Sequence, residues 1–417
     1  MPFSPLIKNL KSTLDGKFIE ESQGIKLKSK FDYDSGTLVM GYDYTTTNVK
    51  RDSLVTTDRS KFSDVSIDNF PIPPNLLGTL EGIVTIKNSF DISKDTHALY
   101  LLNNYNLTEK LALTTGLRYE YSKYNGYRNS FGNIKGYNLE NGGILFPNNN
   151  SNKILINDYT AIDKSTDNFA GEIGLNYKFS EVGSIYTRYE RGFISPLPSQ
   201  LTNKENQKYT NSNLKSETID SIEFGIKDVI DNSFITVSIF FSQTNNEIAT
   251  LDRNANNPAL KEWKFENIGQ TRRYGSEIFA QHYFDKLTLS ESITYIDAKI
   301  KKVNSNEWLK EGDKVPIVSK WKITLGADYK FNDKFSLGAT YVYNSSYEKR
   351  ELESYNKYKI SGFGVTDLYG KYNIKDYLTV KIGVNNIFNE HYNYFETATT
   401  AIPAPERNYY LGLSLKF

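Results

Sequence analysis

Cysteine is absent from the 417 residues, so neither a disulfide framework nor a thiolate metal site is available, although that absence suits an envelope compartment and a cytosol equally. An excess of one charge is also missing. Lys plus Arg number 50 against 49 Asp plus Glu, a net +1, which gives no basic field to gather nucleic acid and no acidic tail. Histidine occurs three times, at His97, His282 and His391, too few and too scattered for a metal site readable from sequence. Nor is there any stretch near the roughly 18 to 20 apolar residues of a membrane helix. The best runs are short pieces such as Leu76-Leu77 and Ile144-Leu145-Phe146. The beginning, Met1-Pro2-Phe3-Ser4-Pro5-Leu6-Ile7-Lys8, lacks the apolar core and small-residue cleavage site of an export signal. The expectation is that such a signal has been removed or that the chain is a fragment.

Aromatic residues, by contrast, are plentiful. They make up 14% of a chain that is only 38% hydrophobic. A polar, aromatic-rich chain without apolar helices can still cross a bilayer as a closed β-barrel, whose strands alternate lipid-facing and lumen-facing side chains. The sequence carries that alternation. Leu111, Leu113, Leu117, Tyr119 and Tyr121 interleave with Ala112, Thr114, Gly116, Arg118, Glu120 and Ser122. The same period runs through Ile173, Leu175, Tyr177 and Phe179, through Ile222, Phe224 and Ile226, and through Ile323, Leu325, Ala327, Tyr329 and Phe331. Phe335, Leu337, Ala339, Tyr341 and Tyr343 form the next stripe. Glu291 falls on the apolar parity of its strand, against the pattern.

A soluble sandwich would alternate too, and the connections separate the two architectures. Short ones fall at 34–36, 107–109, 180–183, 231–233, 285–286, 332–334 and 373–376. Long polar excursions lie between them, at about 45–93, 122–168, 190–215, 243–270, 297–320, 344–362 and 386–406. Strict alternation of short and long puts every short turn on one rim and every long loop on the other, as in outer-membrane barrels. Aromatics beside the short turns, such as Tyr177 with Phe179, Tyr283 with Phe284, and Tyr329 and Phe331 with Phe335, read as an interfacial girdle. The expected fold is therefore all-β, an antiparallel transmembrane β-barrel. Seven hairpins and a last strand at about 406–417 give about 15 strands, or 16 if residues 3–14 supply another, which Pro5 and the poor alternation of Phe3 to Lys8 disfavour. Residues 1–23 are expected as loop or partial strand and 24–417 as barrel.

The last strand, Arg407 to Phe417, puts Tyr409, Leu411, Leu413, Leu415 and Phe417 on one face, like the aromatic-ended strand that outer-membrane barrels present to their assembly machinery. Before it, Val384-Asn385-Asn386-Ile387-Phe388-Asn389-Glu390-His391-Tyr392 is similar to the "N-N-L-F-x-x-x-Y" segment of TonB-dependent receptors. Pro405-Glu406-Arg407 resembles the "P-G-R" that follows, with Glu406 in the place of glycine. Asn213-Leu214-Lys215-Ser216-Glu217 with Glu223-Phe224-Gly225 resembles "N-L-K-P-E … E-x-G". Asn267-Ile268-Gly269-Gln270-Thr271 with Gly275 and Glu277 resembles "N-x-G-x-T … G-x-E". The segments follow one another in the family's order. The resemblance covers about residue 24 to the end. It implies a barrel of about 22 strands around a globular plug. Neither plug nor energy-coupling box is found in this sequence, so a C-terminal barrel portion is expected.

What the resemblance implies about function is active import of a scarce nutrient, most often a ferric siderophore. The chelate would be transported cargo, and no resident cofactor is expected. The partners it implies are outer-membrane lipid, the barrel-assembly machinery through the Phe417 strand, and the TonB complex only through the missing N-terminal region. From the residues themselves, parity turns Arg118, Arg188 and Arg273 toward the lumen, with Arg191 at the mouth of a loop. Cations there would attract an anionic ferric chelate. The alternative is a lumen of mixed charge in which Glu120, Glu190, Glu223 and Glu277 neutralise them. Two other functions stay open. A 16-stranded porin would explain a missing plug but not the receptor-like segments. A hydrolase barrel would need Ser or Asp beside His, for which Ser292 near His282 and Asp95 near His97 are candidates by adjacency.

Overall fold

The computed structural model describes residues 11–58, 83–137, 147–205, 208–253, 262–304, 309–350, 357–396 and 401–416. Five long strands open the chain: β1 (Lys11–Tyr33), β2 (Gly36–Asp58), β3 (Ile83–Asn106), β4 (Leu111–Tyr137) and β5 (Pro147–Lys178). β6 (Ser184–Ile194) follows, then a segment carrying a 3-10 turn at Pro198–Gln200, β7 (Thr202–Glu205) and β8 (Lys208–Asn211). The hairpin β9 (Glu217–Ile230) and β10 (Ser233–Asn245) leads into β11 (Ile248–Arg253) and β12 (Glu262–Asn267). Next come β13 (Gly269–Phe284), β14 (Leu287–Val303), β15 (Trp321–Lys330) and β16 (Phe335–Asn344), then the small pair β17 (Tyr347–Arg350) and β18 (Lys357–Ile360). The chain finishes with β19 (Phe363–Lys375), β20 (Leu378–Asn385), the short β21 (Asn393–Glu396) and β22 (Ala401–Pro403), and β23 (Asn408–Leu415).

Fifteen of these strands form one antiparallel sheet in which each neighbour in space is the next wall strand in sequence, with β1 and β23 at its margins. The short connections expected from the sequence join consecutive wall strands in the structure, except that the one placed at 373–376 shifts to 376–377, because β19 continues through Lys375. Asp231 (φ 50°) and Asp285 (φ 21°) take the positive φ that two-residue hairpin turns demand and that Asp tolerates. On the opposite rim, β11, β12, β7 and β8 make a four-stranded sheet out of two excursions.

Two expectations change. The excursions placed at 45–93 and 122–168 are largely strand, because β2 and β3 pair from Asp58↔Ile83 downward and β4 pairs β5 as far as Tyr137↔Pro147. Above the membrane both faces of a strand meet water or polar neighbours, so alternation fades while β-branched runs such as Thr45-Thr46-Thr47 keep pairing. In addition, β1 runs unbroken from Lys11, so no structural boundary falls at residue 23, and part of the sixteenth-strand candidate at 3–14 lies outside the described residues.

Cross-strand register assigns the two faces of the sheet. Leu117, Phe169, Ile222, Phe224, Ile239 and Leu325 share one face and stand open, Leu117 at 69% exposure, which only a hydrocarbon surrounding makes favourable. The short-turn rim of this face carries the expected aromatics, with Tyr329 against Phe331 at 4.7 Å and Phe331 against Phe335 at 5.1 Å. A second aromatic level appears eight residues up the strands. Tyr119 meets Phe169 at 4.9 Å, Tyr44 meets His97 at 4.9 Å and Tyr295 meets Trp321 at 4.7 Å. At about 3.3 Å per residue and a tilt of about 40° the two levels lie roughly 20 Å apart, close to the height of a membrane-facing band.

The other face is polar, and the rings on it lie among charged and small side chains. Several tyrosines lie flat across glycines of the next strand: a Cβ at Gly338 would collide with the Tyr369 ring, and one at Gly225 with that of Tyr186. Two small buried clusters occur on it, both near the long-loop rim. Val49, Phe90, Ile92, Tyr124 and Ile162 close over Leu201, and Ile268, Ala298 and Ile300 close over Leu309 and Val315. Each is a piece of excursion folded back onto the inner wall.

Candidate functional site

The inner wall is the surface that a solute crossing the sheet's enclosure would meet, and its cations are set by strand parity. Arg118 of β4 projects inward, where Nη1 lies 3.2 Å from Asp43 and Nη2 lies 3.1 Å from Glu120. Arg188 of β6 is paired with Glu172, 3.6 Å from its Nε, and with Glu190. Arg273 of β13 donates from Nη1 to Thr271 (2.7 Å) and Thr244 (3.1 Å), and from Nη2 to both oxygens of Glu247 (3.2 Å). All three face the lumen, as parity requires, and each holds a carboxylate. Glu120 and Glu190 are partners named from the sequence, whereas Asp43, Glu172 and Glu247 are additions from neighbouring strands and the rim. Glu223 instead accepts from the Tyr186 hydroxyl.

Arg191 is not with them. Its cross-strand partner is Asp220, on the face shared by Tyr189 and Ile222, so the guanidinium lies on the outer wall, 3.4 Å from Asp220. Tyr189 donates to the same carboxylate at 2.8 Å.

Sequence reading missed a basic, aromatic recess above these residues, because it fell within an expected loop. Arg128 of β4 is enclosed between the rings of Phe90 (5.5 Å) and Tyr209 (4.8 Å) and donates to Thr202 Oγ1 at 2.8 Å. Lys94 lies 5.4 Å from the Tyr124 ring, and Lys164 donates to the Leu214 carbonyl at 2.5 Å. Burial lowers the pKa of Arg128, Lys94 and Lys164 and pushes the Tyr124 phenol up to about 12. The lid of this recess is made by residues 195–205 and 208–214, stitched to the wall by Tyr124 Oη donating to Pro196 O (2.9 Å), Asn168 Nδ2 to Ser195 Oγ (3.1 Å), Thr160 Oγ1 to Tyr209 O (2.9 Å) and Asn211 Nδ2 to Ala161 O (3.0 Å). The signal that could have found it is parity: Ser122, Tyr124, Arg128 and Ser130 continue the inward positions of Arg118 and Glu120.

The receptor-like segments serve the scaffold. Asn267 accepts from Lys215 N at 2.8 Å and donates to Lys215 O at 3.0 Å, so two of the segments lock to each other at the rim. Glu217 accepts from Ile248 N at 2.7 Å. Asn386 (φ 53°) accepts from Glu390 N and donates to Glu390 O, both at 2.8 Å, shaping the turn after β20.

The histidines have separate settings. His97 Nδ1 is 2.7 Å from Tyr42 Oη on the outer wall. His391 lies 4.0 Å from Glu406. His282 faces outward, 2.8 Å from Ser233 Oγ and 3.5 Å from Glu291, which supplies a partner for the carboxylate that broke the apolar pattern. Ser292 takes the inward parity, opposite Thr324, so it and His282 lie on opposite sides of the sheet and cannot act as nucleophile and base. Among the described residues no three His, Asp or Glu side chains gather as metal ligands.

Comparison with known proteins agrees with the wall. The family model described as "TonB dependent receptor-like, beta-barrel" matches residues 9–387. A curated relative, the probable TonB-dependent siderophore receptor PiuA of Acinetobacter baumannii, is 23% identical over 322 residues, covering 73% of this chain and 38% of the relative. Among solved structures, the ferric yersiniabactin uptake receptor FyuA of Yersinia pestis superposes with a TM-score of 0.67 at 13% identity, over 98% of this chain and 55% of that one. The copper transporter OprC superposes with 0.69 at 16% identity, over 97% and 58%. The solved PiuA superposes with 0.65 at 20% identity, over 96% and 56%. At these identities the structures establish a shared fold, and the chain spans well under two thirds of each relative's length.

Proposed function

Because the chain belongs to the TonB-dependent receptor β-barrel family and so to the outer membrane of a Gram-negative bacterium, we propose that it forms the wall of an importer of ferric siderophores or similar iron chelates. The observation that carries the reading is the inner face, where Arg118, Arg188 and Arg273 stand at intervals along a polar surface behind an apolar exterior. Many ferric chelates are anionic. Each arginine already has a carboxylate partner, yet partly exposed ion pairs contribute only about 0–1 kcal/mol. A chelate oxygen can therefore replace Glu120 or Glu190 as acceptor at small cost, and the released carboxylate returns to the guanidinium when the cargo leaves. Such exchangeable pairs attract an anion without trapping it. Arg191, which faces outward with Asp220, is left out of this set.

The relatives' names also support transport rather than catalysis, and they support a TonB-driven process. Coupling to TonB is proposed through a region other than the wall. Insertion is proposed through β23, whose Tyr409, Leu411 and Leu413 form an outward apolar edge for the assembly machinery. The deciding experiment is a binding titration of protein purified from outer membranes against ferric catecholate, hydroxamate and carboxylate chelates. Saturable binding of at least one is expected, weakened in the Arg118→Gln, Arg188→Gln double variant. Failure to bind any of the three classes overturns the proposal.

A further inference from the structure

One concentration of charge has no part in import, because it faces sideways into the membrane interface. On the outer wall at β13 and β14, Asp297 is nearly buried and accepts from Tyr274 Oη at 2.6 Å. Lys299 Nζ lies 3.1 Å from its Oδ2 and Lys320 Nζ lies 3.1 Å from its Oδ1, while the lysine side chains stay 49% and 43% exposed. Register sets Arg272 directly across from Lys299 on the same face, where its Nε donates to Gln243 (2.9 Å) and its guanidinium lies 5.9 Å from the Phe241 ring. Three cations against one carboxylate leave two positive charges. Next toward the membrane along the same strands come the rings of Tyr295 and Trp321, the outer aromatic level of this sector.

We propose that this patch seats the phosphate of an outer-leaflet lipid headgroup, held between Lys299, Lys320 and Arg272. Asp297 uses one contact of each ammonium to aim the two lysines, and their remaining N–H donors point outward to a phosphate oxygen. Trp321 and Tyr295 lie where the first carbons of the acyl chains begin, so one molecule meets cation and ring together. Height along the wall commits the occupant to a membrane lipid, since a soluble solute reaches the loops before this sideways surface. The same level on β3 to β5 is the opposite case. There Asp95, Asp163 and Asp167 outnumber Lys123, beside a cavity of about 580 Å³ lined by Tyr42, Tyr44 and His97, and phosphate is repelled. Of these two sectors, only the one at β13 and β14 carries the net positive charge that a phosphate requires. This inference rests on the family's membrane location and not on the identity of the cargo.

The test is native mass spectrometry of protein purified from outer membranes in detergent, with bis-phosphorylated lipid A as probe. Dephosphorylated lipid A and inorganic phosphate are the comparison arms. Wild type is expected to retain the phosphorylated lipid. At about fivefold per lysine near a membrane surface, the Lys299→Gln, Lys320→Gln double variant should bind it about thirtyfold more weakly. Removing both lysines strands Asp297, so a triple variant that adds Asp297→Asn controls for misfolding and should show the same loss. Lys299→Arg, Lys320→Arg should keep binding, and Lys123→Gln on the acidic sector should change nothing. Equal retention by the glutamine variants, equal retention of the dephosphorylated lipid, or competition by inorganic phosphate would each overturn the assignment.

Discussion

The two faces of the fifteen-stranded sheet come from the same strands, yet they treat charge by opposite rules. On the outer face charged groups are few within the membrane band and each brings company: Glu291 lies against His282 and Arg191 against Asp220. On the inner face charge is ordinary, and its pairs overlap, as when Arg118 is shared between Asp43 and Glu120. Solvent explains the difference. Hydrocarbon offers no hydrogen bonds, so an outward polar group must be satisfied by its neighbours, whereas a wet lumen lets partners exchange. The outer face is therefore a structural surface and the inner one an adjustable surface.

The largest effect expected from this contrast is that of a lone charge on the outer face. Leu325→Arg should destabilise the folded wall by about 2–4 kcal/mol, while Thr324→Arg, one residue away on the inner face, should cost less than about 1 kcal/mol. Denaturant titration of protein folded into lipid vesicles reads both. Equal losses would mean that the faces have been assigned wrongly. The next effect concerns the outward pair. His282→Leu leaves Glu291 without its partner and should cost about 1–3 kcal/mol, and the double variant His282→Leu, Glu291→Leu should recover most of it, since two apolar residues suit hydrocarbon better than half an ion pair. A double variant as unstable as the single one would show that the pair has a role beyond satisfying itself.

How much of this was legible in advance follows the same division. Where one face meets oil, as at Leu111 to Tyr121 or Ile323 to Phe331, alternation had full contrast, and the hairpins, the tight turns and the inward arginines were readable. Above the membrane the contrast vanishes. Residues 45–58 and 122–137 looked like loop although they pair as strand, and the recess around Arg128 disappeared with them. The lid over that recess depends on contacts such as Tyr124 to Pro196, far apart in the chain, which no local pattern encodes. Arg191 is a different case: it has the parity of Tyr189, and counting from that residue places it outside, but its position beside a loop hid the count.

The lid allows a finer comparison within the inner face. Tyr124 is fully buried and its hydroxyl holds Pro196, so Tyr124→Phe removes one hydrogen bond and strands a buried carbonyl. A loss of about 1 kcal/mol is expected, felt mainly as faster proteolysis within 195–214 while the rest of the wall keeps its protection. Protease sensitivity unchanged in that segment would mean that packing against Leu201, not the hydroxyl, seats the lid.

The smallest stability change is expected at Glu120→Gln, and it bears most directly on the adjustable character of the inner face. Arg118 keeps Asp43 at 3.2 Å when Glu120 loses its charge, and Gln can still accept a hydrogen bond from Nη2. Stability should therefore shift by no more than about 0.5 kcal/mol. The local field should change more, because one negative charge has left a confined wall where charges are poorly screened, and an anionic ferric chelate should bind a few-fold more tightly. Denaturant titration and chelate binding on the same preparation separate the two quantities. A large loss of stability with no gain in affinity would make Arg118 and Glu120 a fixed brace and would move cargo recognition away from the arginines. Unchanged stability with tighter binding is what exchangeable partners require.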